Sequence, residues 1–150
     1  MRTARPTRLA LLPLLVALPL AGCGTRYDRV PADQVDPARR TTAEELATRI
    51  LTAWNKHEYP FLGAEATAEF RRAHNNAAAQ KAAAANIEKR AGRFQSLAFA
   101  EELRSRPPQH DVFRFKGTFS DVSPVEVRVV LDPEGKVSGF WVRPWHDELR

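Results

Sequence analysis

The chain predicts an α+β fold, with helices from its first half packed on a four-stranded antiparallel sheet from its second half. Three observations carry this. Apolar residues recur at helical spacing from Leu46 to Ala91. From Phe94 onward the period drops to that of a strand. The alternating segments are joined by short turn signals, Asp121-Val122-Ser123-Pro124 and Asp132-Pro133-Glu134-Gly135. Joints that short connect antiparallel neighbours and leave no room for a crossover helix. Helices first and strands after is the α+β order.

Thr42-Ala43-Glu44-Glu45 has the form of a capping box and is expected to open the first helix. Leu46, Ile50, Ala53 and Trp54 follow on one face, with Ala47 and Leu51 widening it. Pro60 bars continuation, so this helix should end near Glu58. A second helical stretch begins near Ala64 or Glu65. Phe70, Ala73, Ala77, Ala84, Ile87 and Ala91 share a face, with a break point at Asn75-Asn76. The alanines of 77–85 favour helix by intrinsic propensity, and their small side chains would let it lie close to a sheet. Gly92 is a natural stop. Gln95, Leu97, Phe99, Glu101 and Leu103 then share a face of the first predicted strand. Phe113, Phe115, Gly117 and Phe119 alternate with Arg114, Lys116 and Thr118 in the second. Val125, Val127, Val129 and Leu131 alternate with Glu126 and Arg128 in the third, and Val137 to Val142 is the fourth.

The N-terminus has another character. Arg2, Arg5 and Arg8 precede an uncharged run from Leu9 to Ala21, the pattern of an export signal. Leu9 to Cys23 is only 15 residues and contains Pro13 and Pro19. A spanning helix needs about 20 apolar residues. The run ends in Leu20-Ala21-Gly22-Cys23, which holds the only cysteine of the chain. This resembles the lipobox of bacterial lipoproteins. The resemblance implies cleavage after residue 22 and lipidation of Cys23, whose thiolate is the nucleophile that takes the acyl-bearing lipid. It places the chain in the cell envelope, on a membrane and outside the cytoplasm. The expected division is a signal peptide over 1–22, a flexible tether over 23–40 and one domain over 41–150. Prolines, aspartates and arginines dominate the tether.

With Cys23 consumed, no cysteine remains for a disulfide, a redox pair or a metal cage. The formal net charge is +5. The three arginines of the signal account for +3, which leaves +2. The remaining arginines are scattered among acids, with no basic stripe of the kind a nucleic-acid groove needs.

The order of elements and the closing stretch Leu131-Asp132-Pro133-Glu134-Gly135-Lys136-Val137-Ser138-Gly139-Phe140-Trp141-Val142-Arg143-Pro144 resemble the ketosteroid isomerase and nuclear transport factor superfamily, and its uncharacterised bacterial branch in particular. The resemblance covers about residues 42–145. It implies a curved sheet wrapped around helices in a cone, and it implies fold more than activity.

Within a cone of that kind, Glu101 is the weak candidate for an acid/base group. No donor for a developing oxyanion accompanies it in sequence. His57, His74, His110 and His146 share no metal spacing, so no metal or cofactor is expected. Phe140, Trp141 and Val142 load both faces of the last strand with apolar surface. They are the candidate binding face. The reading is a non-catalytic binding or interaction domain on a lipid anchor. Its candidate partners are the membrane lipid through Cys23, a second copy, an envelope protein or a small apolar ligand, and no nucleic acid. The alternative is a small isomerase- or dehydratase-type enzyme.

Overall fold

Helix α1 (Pro37–Asn55) begins well before the Thr42 box. The Asp36 carboxylate accepts the N–H groups of Ala38 (2.9 Å) and Arg39 (3.3 Å). Pro37 takes the first helical position, where a missing N–H costs nothing. Thr42 therefore lies inside the helix, its hydroxyl donating to the carbonyl of Ala38. The computed structural model describes residues 26–106 and 109–148. The predicted signal peptide and Cys23 lie outside the described residues.

Five strands, rather than four, form one antiparallel open sheet in chain order. They are β1 (Arg26–Arg29), β2 (Phe94–Arg106), β3 (Asp111–Phe119), β4 (Val125–Leu131) and β5 (Val137–Pro144). The added strand comes from the stretch expected to be a flexible tether. From Arg26 onward that stretch belongs to the fold. Arg26, Tyr27, Asp28 and Arg29 are all exposed and show no apolar alternation. Only pairing with β2, from Arg26 opposite Arg106 to Arg29 opposite Leu103, makes them a strand. Val30 is then buried, and its N–H donates to the carbonyl of Glu102.

One face of the sheet is covered by α1. Ala43, Leu46, Ala47, Ile50, Leu51 and Trp54 meet Phe113, Phe115, Val127, Val129 and Leu131, all buried in one cluster. The space between helix and sheet is thus filled by large side chains, each contributing about 1.5–3 kcal/mol through burial.

Two shorter helices flank this layer. Thr67 caps α2 (Ala68–His74) by accepting from the N–H of Phe70. The chain breaks at Asn75-Asn76, as the sequence suggested. Asn76 caps α3 (Ala77–Ala91) through the N–H of Ala79. The alanine-rich helix is not laid on the sheet. Most of its alanines are exposed, and its buried side chains are Gln80 and Ala91. Gln80 fastens it: Oε1 accepts from Trp54 Nε1 (3.1 Å), and Nε2 donates to the carbonyls of Pro60 and His74. Gly92 ends α3 at φ +81°, and a Cβ there would lie 2.0 Å from the Ser120 hydroxyl oxygen. No side chain fits that position. Asn55, at the end of α1, both donates to the carbonyl of Phe94 and accepts its N–H, tying helix to sheet.

Phe115 has no exposed surface and meets Phe99 edge-on, ring centroids 5.9 Å apart. Phe115→Ala should lower stability by about 3–5 kcal/mol in urea unfolding. A loss below about 1 kcal/mol would contradict the filled core described here.

Candidate functional site

The face of the sheet away from α1 carries charge. Arg114 on β3 has no solvent exposure at all. Each of its three guanidinium nitrogens has a partner. Nε and Nη2 reach the two oxygens of Glu126 on β4 at 3.2 and 3.3 Å. Nη1 pairs with Glu101 on β2. Nη2 also donates to the carbonyl of His146 at 2.5 Å. The Trp145 ring lies 4.6 Å from the guanidinium carbon and 4.9 Å from Lys116 Nζ. After Pro144 the C-terminal tail therefore doubles back over the outer face and covers Arg114. Glu101 continues the chain of charge to Arg29 on β1 at 2.7 Å, and Glu126 continues it to Arg128 at 2.6 Å. Burial alone would raise the Glu126 pKa, but hydrogen bonds from Arg114 and Arg128 outweigh it and hold the carboxyl below its ordinary value. Burial lowers the pKa of Arg128, with Glu126 opposing.

Glu101 does not share a face with Leu97 and Phe99, contrary to expectation. The pairing of β2 with β3 slips between Phe99 and Glu101, so Phe99 faces Phe115 but Glu101 faces Arg114. An extra residue at such a bulge turns the following side chains to the other side. Both oxygens of Glu101 are held by arginines, as suits a structural ion pair.

The same slip sends Glu102 to the α1 side, opposite Phe113. Glu102 is 2% exposed, and its Oε2 has no hydrogen-bond partner. Arg104 is 3.6 Å from Oε1. Arg104 also pairs with Asp111, which in turn pairs with Arg39 of α1 at 2.7 Å. Burial, then the Asp111 charge, pushes the Glu102 pKa up.

The three residues expected to form a binding face divide. Phe140 and Val142 are partly buried against the core, Phe140 meeting Trp54 edge-on at 5.9 Å. Trp141 points outward opposite Arg128 and is 47% exposed. Its ring lies over Gly139, where a Cβ would approach within 2.1 Å of it. The glycine is the seat for the tryptophan ring. Tyr27 is exposed at the other edge strand. The histidines stay apart. His57 is exposed beyond α1, and His74 stacks on Phe70 at 5.2 Å with its pKa lowered by burial. Among the described residues no three His, Cys, Asp or Glu side chains gather to hold a metal. Also among them, no helix is long and apolar enough to cross a membrane.

Sequence reasoning did not single out Arg114, Glu126 or Arg128. The signal was present, because charged residues at alternate positions of two adjacent central strands must pair across them. Comparison with family models, with curated proteins and with solved structures gives no match for this chain.

The two buried carboxylates should respond to pH with opposite signs. Glu126, with its pKa below 4.5, contributes stability above that value that is lost as pH falls through the lowered pKa. Glu102, with its pKa above 4.5, contributes most in acid, and that contribution is lost as pH rises through the raised pKa. Urea unfolding of Glu126→Gln should therefore show a deficit at neutral pH that shrinks in acid. Glu102→Gln should be at least as stable as the parent at neutral pH, with the difference vanishing in acid. A neutral-pH loss for Glu102→Gln larger than for Glu126→Gln would overturn the assignment. Arg114→Met, which removes the buried guanidinium that two carboxylates share, should destabilise by about 3–5 kcal/mol.

Proposed function

We propose that the protein is a lipoprotein of the cell envelope whose folded domain works by binding, through the outer face of the sheet around Trp141. The anchor reading rests on the basic start, the short apolar run and Cys23. The binding reading rests on one observation. A tryptophan is held half in solvent, seated on a glycine and opposite Arg128, while Phe140 and Val142 of the same strand are taken up by the core. Aromatic and arginine side chains together are the composition of interaction hot spots. The occupant is an envelope protein or a second copy. A small ligand inside the domain is disfavoured by Phe113, Phe115, Val127 and Val129, which fill the space beneath α1. A cone-like sheet needs bends of the kind that slips in pairing introduce, and the two slips in β2 support that part of the family resemblance.

One observation favours the isomerase or dehydratase alternative. Glu102, buried on the α1 side with one oxygen unbonded, has the raised pKa of a general acid or base. Arg39 and Arg104 lie nearby to stabilise an anion. Loss of a measured turnover in Glu102→Gln with the fold intact would establish it.

Two experiments test the main reading. Cys23→Ser should abolish lipid labelling and leave an uncleaved precursor; normal processing would sink the anchor. Trp141→Ala should weaken association, read by sedimentation or by partner cross-linking, while shifting the urea midpoint little. A Trp141→Ala protein that unfolds readily would show that the ring serves packing instead.

A further inference from the structure

The last turns of α3, the β3–β4 turn and the end of β5 enclose an open cleft of about 350 Å³. Its position follows from the backbone. Gly92 stops α3, and the carbonyls of Ala91 and Arg93 accept from the N–H groups of Asp121 and Ser120. The β3–β4 turn is thereby fastened to the end of the helix. Pro144 stands opposite Val125, so the end of β5 forms the other wall. No residue of α1 lines the cleft, and Trp141 does not line it. A hollow of this size is in the range that holds small ligands.

The walls are apolar, and the charge on them has one sign. Ile87, Val122, Val142 and Trp145 supply apolar surface, Arg90 and Arg143 are the charged residues of the lining, and no Asp or Glu is among them. Val122 is 42% exposed at the cleft. Arg90 is exposed, and among the described residues it has no ion-pair or hydrogen-bond partner. Arg143 has Glu126 at 3.9 Å, but both oxygens of that carboxylate are already taken by Arg114 and Arg128. Arg143 Nε is buried and makes no hydrogen bond. Two acids stand near the rim. Asp121 accepts from the Ser120 hydroxyl at 2.8 Å, and Asp147 accepts from Trp145 Nε1 at 3.1 Å. Glu88, on the same helix as Arg90, lies on the α1 side near Trp54 and Asn55. Lys116, 4.9 Å from the Trp145 ring, adds a third cation. A guanidinium beside an apolar hollow suits a molecule whose oxyanion head takes paired hydrogen bonds and whose body leaves water.

We propose that this cleft binds an anionic amphiphile, a small carboxylate or phosphate monoester with an apolar body. The head pairs with Arg90, and the body lies against Ile87, Val122, Val142 and Trp145. The site is separate from the outer face around Trp141 and does not depend on the lipid anchor.

The test exposes the full chain, in phosphatidylcholine vesicles, to octanoate carrying a diazirine at its apolar end. After irradiation and digestion, adducts are mapped by mass spectrometry. They should fall on peptides holding residues 86–91, 122–125 and 142–145. Octanoate and octyl phosphate are the competitors, and octanol is the neutral control. An anion should suppress labelling at concentrations where octanol does not, and whichever anion acts at the lower concentration names the head. Arg90→Gln should raise the half-suppressing concentration of that anion about tenfold, as expected for one charge-assisted hydrogen bond. Val122→Glu, on the exposed turn, sets a carboxylate at the cleft and should weaken labelling as well, which keeps the test open if Arg90→Gln unfolds. Absence of adducts from these peptides would overturn the site. So would suppression by octanol equal to that by both anions, or labelling that the folded variants leave unchanged.

Discussion

A guanidinium with no access to water needs a partner at every nitrogen, and in this sheet Arg114 meets that demand by drawing three strands and the C-terminal tail together. Glu101 comes from β2, Glu126 from β4, the His146 carbonyl and the Trp145 ring from the tail. Charges removed from water are costly unless paired and hydrogen-bonded. The network therefore specifies geometry more than it adds stability. It fixes the register of β2 on β3 and of β3 on β4, and it requires the tail to fold back. The outer face of the sheet consequently presents arginine and aromatic groups at set positions. The α1 side is apolar around Phe113, Phe115, Val127 and Val129, with Glu102, Arg104, Asp111 and Arg39 grouped at one end.

The sequence carried the fold well where periodicity was strong. The change of period at Gly92, the break at Asn75-Asn76 and the turns at 121–124 and 132–135 all correspond to observed boundaries. It failed where pairing, not pattern, makes the structure. Arg26 to Arg29 have no apolar face, so nothing local distinguishes a strand from a tether. The Thr42 box was a plausible cap overtaken by a better one, since Asp36 and Pro37 satisfy and tolerate the free helix end together. The alanine run formed its helix but was placed by a single buried amide, Gln80, which propensity does not reveal.

The candidate site shows the same division. Alternation correctly set Trp141 against Phe140 and Val142, and the structure adds that α1 claims the latter two. Alternation misled for Glu101, because an extra residue near Ala100 reverses the faces and the reversal has no local signature. That one slip puts Glu102, whose pKa is raised, on the α1 side, where no hydrogen-bond partner reaches its second oxygen.

The central claim is that this protein acts through the outer face of its sheet, around Trp141, and not through an interior pocket. The most direct measurement is site-specific photo-cross-linking in the native envelope, with a photoreactive residue at Trp141 and, separately, at Thr48 on the exposed side of α1. The account predicts a discrete protein adduct from position 141 and none from position 48. Adducts from position 48 alone, or none from either, would contradict it.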